Sequence, residues 1–289
     1  MGVSADKALR QGAVAWLDWR SSHPEIPDLS DLQLMGMNLR GADLHDANLR
    51  KSNLSGAKFV AVNLTGANLS HSILDGAEAI DANLQSIEMI DGRAIGANFC
   101  RANLTQANLI GCNFTDTNFW DADLSLVNAI ATNFTSARLR GADLTQARLH
   151  RSTFCYTDLI QANLAEADLS QAILAEAELG SAHLYRANLT QARLTRSHLV
   201  NIYAALANFD RANLTRADLS WANLSKTILT GANLTGTNLR GANLTGADLT
   251  GADLTGANLT GANLSRANLS YTILSDTNLA AALITGASY

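Results

Sequence analysis

The chain is short of most things that hold ordinary domains together or give them chemistry. Of its 289 residues only 2 are proline, 3 are cysteine and 6% are aromatic. Cys100, Cys112 and Cys155 are odd in number and lack CxxC spacing, which excludes a disulfide framework and a zinc site and leaves them as small packing residues. No apolar run reaches the length of about 18 residues that spans a membrane. The N-terminus lacks the basic-then-apolar order and cleavage site of a signal peptide, so the sequence predicts a cytoplasmic protein. Excess positive charge is missing too. With 21 Lys+Arg against 26 Asp+Glu the net charge is −5, which disfavours direct nucleic-acid binding and is too mild to imitate a phosphate backbone by charge count. The histidines 23, 45, 71, 150, 183 and 198 show no ligand spacing. Glycines occur singly and form no phosphate-cradling loop. Asp123 and Asp143 lie 20 apart and could share a cation, but two carboxylates without further oxygen donors make a weak site. No enzyme activity, cofactor or metal is expected.

What the chain has instead is one short word. Residues 241–265 read GANLTGADLTGADLTGANLTGANLS. A step of five turns an α-helical side chain by about 140°, and on a strand an odd step alternates faces. Neither element places every Leu alike. From Leu29 to Ile284 the fifth position is Leu in 39 of 52 cases, the others being seven Phe, four Ala, one Met and one Ile. That position is buried, and the small residue two before it, mostly Ala, Ser or Thr, must also point inward. The other three positions are polar and face water. A chain that turns by a fixed angle once per word winds around a packed core as a solenoid. The N-L-[ST] triplets match glycosylation acceptors only because the repeat generates them.

These residues resemble the pentapeptide-repeat proteins, whose word is A-[DN]-L-x-x. The match runs from Leu29 to Ile284 without an insertion. The resemblance implies an all-β fold, a right-handed quadrilateral β-helix with four words per turn. The sequence favours four sides modestly by itself: at a spacing of 20, pairs such as Asp31/Lys51, Lys58/Glu78, Asp81/Arg101, Glu166/Arg186 and Glu176/Arg196 bring opposite charges together. Phe114, Phe134 and Phe154, and Phe99 with Phe119, also share columns at that spacing. Residues 29–289 are therefore expected to make about 13 coils. Where the central residue shrinks to Ala129 or Ala204, the inward neighbour grows to Val127 or Ile202. Ala79 and Ala94 lack that remedy, so irregular coils are expected between Asp75 and Ile95.

A wound core needs its ends closed. Residues 1–28 are expected to supply an N-terminal capping α-helix over Ser4–Ser22, with Leu9, Ala13, Trp16 and Leu17 on one face, Ser4 as N-cap and Pro24 at the stop. The other reading, an amphipathic helix lying on a membrane, has little net positive charge to support it. At the other end Tyr271, Leu279, Ile284 and Tyr289 lie near an open coil. Either the tyrosines fold over it or two chains meet there in an end-to-end homodimer.

Binding is the function left. On one side the residue after the central one reads Val60, Ile80, Cys100, Trp120, Arg140, Ile160, Gly180, Val200, and on the opposite side Ile90, Ile110, Ile130. An apolar stripe with Trp120 set among Arg101, Asp121 and Arg140 suits a protein-binding surface, while β-propensity on a half-exposed ladder explains the same residues without function. The expectation is a non-catalytic scaffold or protein-interaction module whose partner is unidentified. The alternative comes only from the family resemblance: a DNA-mimic rod that binds and protects or inhibits DNA gyrase.

Overall fold

The computed structural model describes residues 4–289. They form two compact units, one ending at Asp143 and the other beginning at Leu144. Both are built from the same turn of chain.

The corner of each word makes the turn. In the first unit the Ala47 N–H donates to the Leu44 carbonyl at 3.1 Å, closing a tight turn over His45 and Asp46. The third residue of that turn has positive φ, as type II turns require. Positive φ recurs at every fifth position from Asp31 to Gly286, through 16 glycines and 36 other residues. Glycine fills this position at no steric cost. Between corners the chain is extended for one residue pair, long enough for a single parallel bridge to the residue 20 further on. Asn83 bridges to Asn103 in the first unit and Asn223 to Asn243 in the second. Words of five that pair at twenty make four sides per coil.

Both inward positions are sealed. Leu104, Ala102, Leu244 and Ala242 are fully buried, as are their equivalents from Ala42 to Leu264, whereas Leu32 and Met37 in the first coil are half-buried. Where Ser or Thr points inward, its hydroxyl finds a carbonyl: Thr117 Oγ1 donates to Ala94 O at 2.7 Å, and Ser52 Oγ to Leu29 O at 2.7 Å. This removes the cost of a buried, unpaired hydroxyl. The recurring Asn/Asp and Ser/Thr flanking each Leu also have a structural cause. Asn103 Oδ1 accepts from the Thr105 N–H at 2.9 Å and the Thr105 hydroxyl at 2.6 Å, tying down one side of the coil. Between coils the same amides form ladders, Asn118 Nδ2 donating to Asn98 Oδ1 at 2.9 Å.

The irregular coils expected between Asp75 and Ile95 are not there. The bridges from Ile73, Glu78, Asn83 and Glu88 keep the spacing of 20, and Gly76, Asp81, Ser86 and Asp91 keep their positive φ. Volume is restored by larger neighbours. The Met89 side chain lies where a Cβ on Gly92 would stand, 2.5 Å from Cγ and 2.7 Å from Cε; an unbranched thioether suits such a gap. One coil above Ala79 and Ala94, Phe99 and Phe114 meet edge to face at 6.1 Å, and Phe119 stacks on Phe99 at 5.2 Å. Phe134 stacks on Phe114 at 5.5 Å. Phe154 is buried in the second unit. The exchanges of Ala129 with Val127 and of Ala204 with Ile202 keep all four residues buried.

At the N-terminus the expected single helix is two, α1 (Ala5–Arg10) and α2 (Ala13–Ser22). Gly12, at φ +100°, turns the chain between them. That break changes the buried face: Ala8, Leu9 and Trp16 are inside, whereas Leu17 is exposed and Ala13 half-buried. Ser4 occupies the N-cap position, but its hydroxyl makes no capping bond. Trp16 Nε1 donates to Asp43 O at 2.6 Å and Arg10 Nη2 to Gln33 O at 3.0 Å, fastening both helices to the first coil. Leu29, Leu34, Leu39 and Leu44 of that coil are fully buried. In the last coil the central residues Leu279 and Ile284 are 39% and 46% exposed. The contrast measures what the cap does.

Candidate interaction surface

In the first unit, one wall carries Val60, Ile80, Cys100, Trp120 and Arg140 in successive coils. Val60, Ile80 and Cys100 are half-buried. Only Trp120 among the apolar members stands out, with 52% of its surface exposed. The expected stripe therefore contracts to one indole. Ile90, Ile110 and Ile130 on the opposite wall are likewise half-buried, and there the β-ladder reading suffices. Ile160, in the second unit, is half-buried.

Charges frame the indole. Arg101 holds Asp81 with two bonds, Nε to Oδ1 at 2.7 Å and Nη2 to Oδ2 at 2.8 Å. The Arg101 hydrogen bond holds the Asp81 carboxyl below the usual carboxylate range, and Asp81 raises the Arg101 guanidinium in turn. Asp121 lies at the corner after Trp120, its carboxylate folded over Gly141, where the missing side chain makes room. The wall beneath is stiff, because the Trp120 N–H donates to Asn118 Oδ1 at 3.1 Å and Asn118 is itself tied to Asn98. Such an anchor loses little conformational freedom on binding.

Of the other charge columns, Glu166/Arg186 and Glu176/Arg196 approach to 4.0 and 3.9 Å in the second unit. Among the described residues Asp31 and Lys51 form no ion pair, and Glu78 meets Arg40 at 4.0 Å in place of Lys58.

No cluster of three or more His, Cys, Asp or Glu able to hold a metal occurs among the described residues. Asp123 accepts the Ser125 N–H at 2.9 Å and its hydroxyl at 2.6 Å, the same tie as in other words. The Cys112 thiol is pushed up to about 12, first by burial, and donates to the Met89 carbonyl. Two open clefts flank α2, one lined by Asp18, Trp19 and His23 and the other by Arg20, Asp43 and His45. In the second, Arg20 Nη2 donates to His45 Nε2 at 2.9 Å while His45 Nδ1 lies 2.8 Å from Asp43 Oδ1. These bonds hold the cap in place.

At the C-terminal coil Tyr271 and Tyr289 are 89% and 69% exposed. Neither folds over the end, which removes one of the two expected ways of closing it.

The sequence reading missed an aromatic group in the second unit. His183, Tyr185 and Tyr203 share one wall: Tyr185 stacks near Tyr203 at 6.1 Å and His183 tilts toward it at 6.0 Å. The signal was available, because the words AHLYR and IYAAL lose both the Asn/Asp and the Ser/Thr that tie other words down.

Comparison with known proteins matches the pentapeptide repeat family in eight copies, over residues 28–66, 63–86, 95–128, 132–171, 162–201, 203–231, 227–266 and 262–288. Among solved structures, HetL of the cyanobacterium Nostoc sp., a pentapeptide repeat protein involved in heterocyst differentiation regulation, is 30% identical. The match covers 90% of this chain and 97% of HetL, with a TM-score of 0.49. A trypsin-treated form of QnrB1, a plasmid-mediated fluoroquinolone resistance protein, is 19% identical over 75% of this chain and 88% of its own, with a TM-score of 0.34. A pentapeptide repeat protein from the thylakoid lumen of Arabidopsis thaliana is 32% identical over 37% of this chain and 65% of its own, with a TM-score of 0.21. A search of curated proteins returned no match. No helix among the described residues is long and apolar enough to cross a membrane. With its word, its pairing at twenty and its family match in agreement, the chain belongs to the pentapeptide repeat family, whose fold is the right-handed quadrilateral β-helix.

Proposed function

We propose that the protein is a non-catalytic interaction module of the cytoplasm that binds another protein through the Trp120 wall of its first unit. The observation that carries this reading is Trp120 itself, half out of a stiff β-wall and framed by Arg101, Asp121 and Arg140. Tryptophan and arginine are enriched among the residues that dominate binding energy, and a ring of charge around an apolar anchor is the usual arrangement. Val60 and Ile80 extend the apolar floor beneath it; Ile160 belongs to the second unit and is left out of the site. A DNA-like acidic surface is a poorer description of this wall, since Asp81 is neutralised by two bonds from Arg101.

The open C-terminal coil supports a second contact, an end-to-end homodimer through Tyr271, Leu279, Ile284 and Tyr289, because apolar side chains exposed together favour association.

Affinity purification from the source cell tests the reading. A folded Trp120→Asp variant is expected to lose the protein retained by the native chain. Retention of every specific partner by that variant overturns it. A gyrase supercoiling assay runs beside it: inhibition or protection by the native chain would favour the DNA-mimic alternative.

A further inference from the structure

The wall of the second unit that carries the words 182–186 and 202–206 departs from the repeat in a way its fold does not need. Elsewhere the outward residues flanking the central Leu are mostly Asn or Asp and Ser or Thr, bonded to each other as in Asn188–Thr190 and Asn223–Ser225. In these two stacked words the flanking residues are His183 and Tyr185, then Tyr203 and Ala205. Hydrogen bonds that stiffen the coil have been exchanged for rings that face water. A local rule broken without structural gain marks function more often than chance.

The rings form a platform. Tyr185 and Tyr203 lie with centroids 6.1 Å apart and planes at 23°, and His183 approaches Tyr203 at 6.0 Å. Ala205 beside them is buried, while Tyr203 and the corner residue Leu206 are exposed. Arg186 places its guanidinium 5.8 Å from the Tyr185 centroid. At the same corner column, two coils from Arg186, stands Lys226, which makes no ion pair among the described residues. The opposite corner carries Trp221, exposed and laid flat on Gly241, whose lack of a side chain admits the ring.

Charge decides what fits. On the words 162–166 to 222–226 of this wall the only carboxylate is Glu166, which Arg186 reaches at 4.0 Å, so Lys226 is left to be met from outside. We infer that this wall binds an acidic protein segment, an aromatic side chain stacking on Tyr203 and carboxylates beside it pairing with Lys226 and Arg186. Single-stranded nucleic acid suits it less well. Two cations, one of them already paired, do not make the continuous positive track that a phosphate backbone needs.

The probe is a short synthetic peptide in which Trp is flanked on both sides by Asp and Glu, followed by fluorescence anisotropy on the full chain. Controls are the same peptide with Lys and Arg for the acids, the same peptide with Ala for Trp, and a short oligo-dT. Three variants read the site. Tyr203→Asn and Tyr185→Thr restore residues common in the repeat and so keep the coil, and Lys226→Glu reverses the rim. Saturable binding of the acidic Trp peptide, weakened about tenfold or more by Tyr203→Asn and by Lys226→Glu, is the expected result. The Lys/Arg peptide and the Ala peptide should not bind, and Trp120→Asp should leave affinity unchanged, which separates this site from the first unit's wall. The inference is overturned by absence of saturable binding up to about millimolar peptide, by equal affinity of Tyr203→Asn, or by tighter binding of oligo-dT.

Discussion

Replacing Ala61 and Ala131 by glycine should stabilise the first unit. Both are exposed corner residues held at φ +53° and +55°. The left-handed region costs an L-residue about 1–2 kcal/mol, and glycine returns about 0.5–1 kcal/mol of that through the greater freedom of its unfolded chain. The net gain is about 0.5–1 kcal/mol per corner. The two sites are on different walls and far apart in the coil, so the double variant should gain about 1–2 kcal/mol. Gly96→Ala is the reverse experiment: Gly96 sits at φ +62° with nothing within 4 Å of an added Cβ, so any loss there is conformational and not steric. Urea denaturation followed by circular dichroism reads all three through the midpoint, with the slope unchanged. A lower midpoint for Ala61→Gly/Ala131→Gly, or an unaltered one for Gly96→Ala, would show that the corners are not left-handed in solution, and the reasoning about them would fail.

Other consequences are as direct. Phe114→Ala removes a fully buried ring that touches three others and should cost about 3–5 kcal/mol of stability in the same denaturation. Native protein treated with iodoacetamide should be alkylated at the half-buried Cys100 and Cys155 and spared at Cys112, by mass spectrometry; modification of all three before unfolding would contradict the sealed core. Burial pushes the Asp43 carboxyl up, but the His45 side chain and backbone N–H with Asn63 outweigh it, and the net shift is below the ordinary 3.8. A depressed carboxyl contributes stability above its unfolded pKa that is lost as pH falls through the folded value. The cap should therefore loosen below pH 3.8, seen as a change in tryptophan emission, and Asp43→Asn should abolish that acid step.

The inward half of this structure was legible because it repeats. Leu at every fifth position, with a small residue two before it, admits one kind of backbone, and each of the two units has it. Departures from the word were harder to judge. Ala79 and Ala94 suggest a disturbed coil, yet Met89 beside Gly92 and the phenyl rings above absorb the missing volume, a compensation between words that no single word reveals. At the N-terminus the apolar spacing of Leu9, Ala13, Trp16 and Leu17 reads as one helix, but Gly12 at φ +100° splits the segment and turns Leu17 outward. Surface function was legible least. Val60, Ile80 and Ile160 share a column type with Trp120, but depth depends on side-chain length and on what lies a coil away, so only the indole emerges. The aromatic group at His183, Tyr185 and Tyr203 was visible as lost Asn and Ser, a signal recognisable only once the bonds between those residues are known.

Four sides per coil is the claim on which every surface assignment rests, and disulfide trapping tests it most directly. With the native cysteines replaced, Asn83→Cys and Asn103→Cys should oxidise to an intramolecular disulfide, since bridged residues of adjacent coils stand about 4.8 Å apart. The pair Asn83→Cys and Asn98→Cys, which falls on neighbouring sides, should not. Trapping of the second pair in place of the first would contradict the fold.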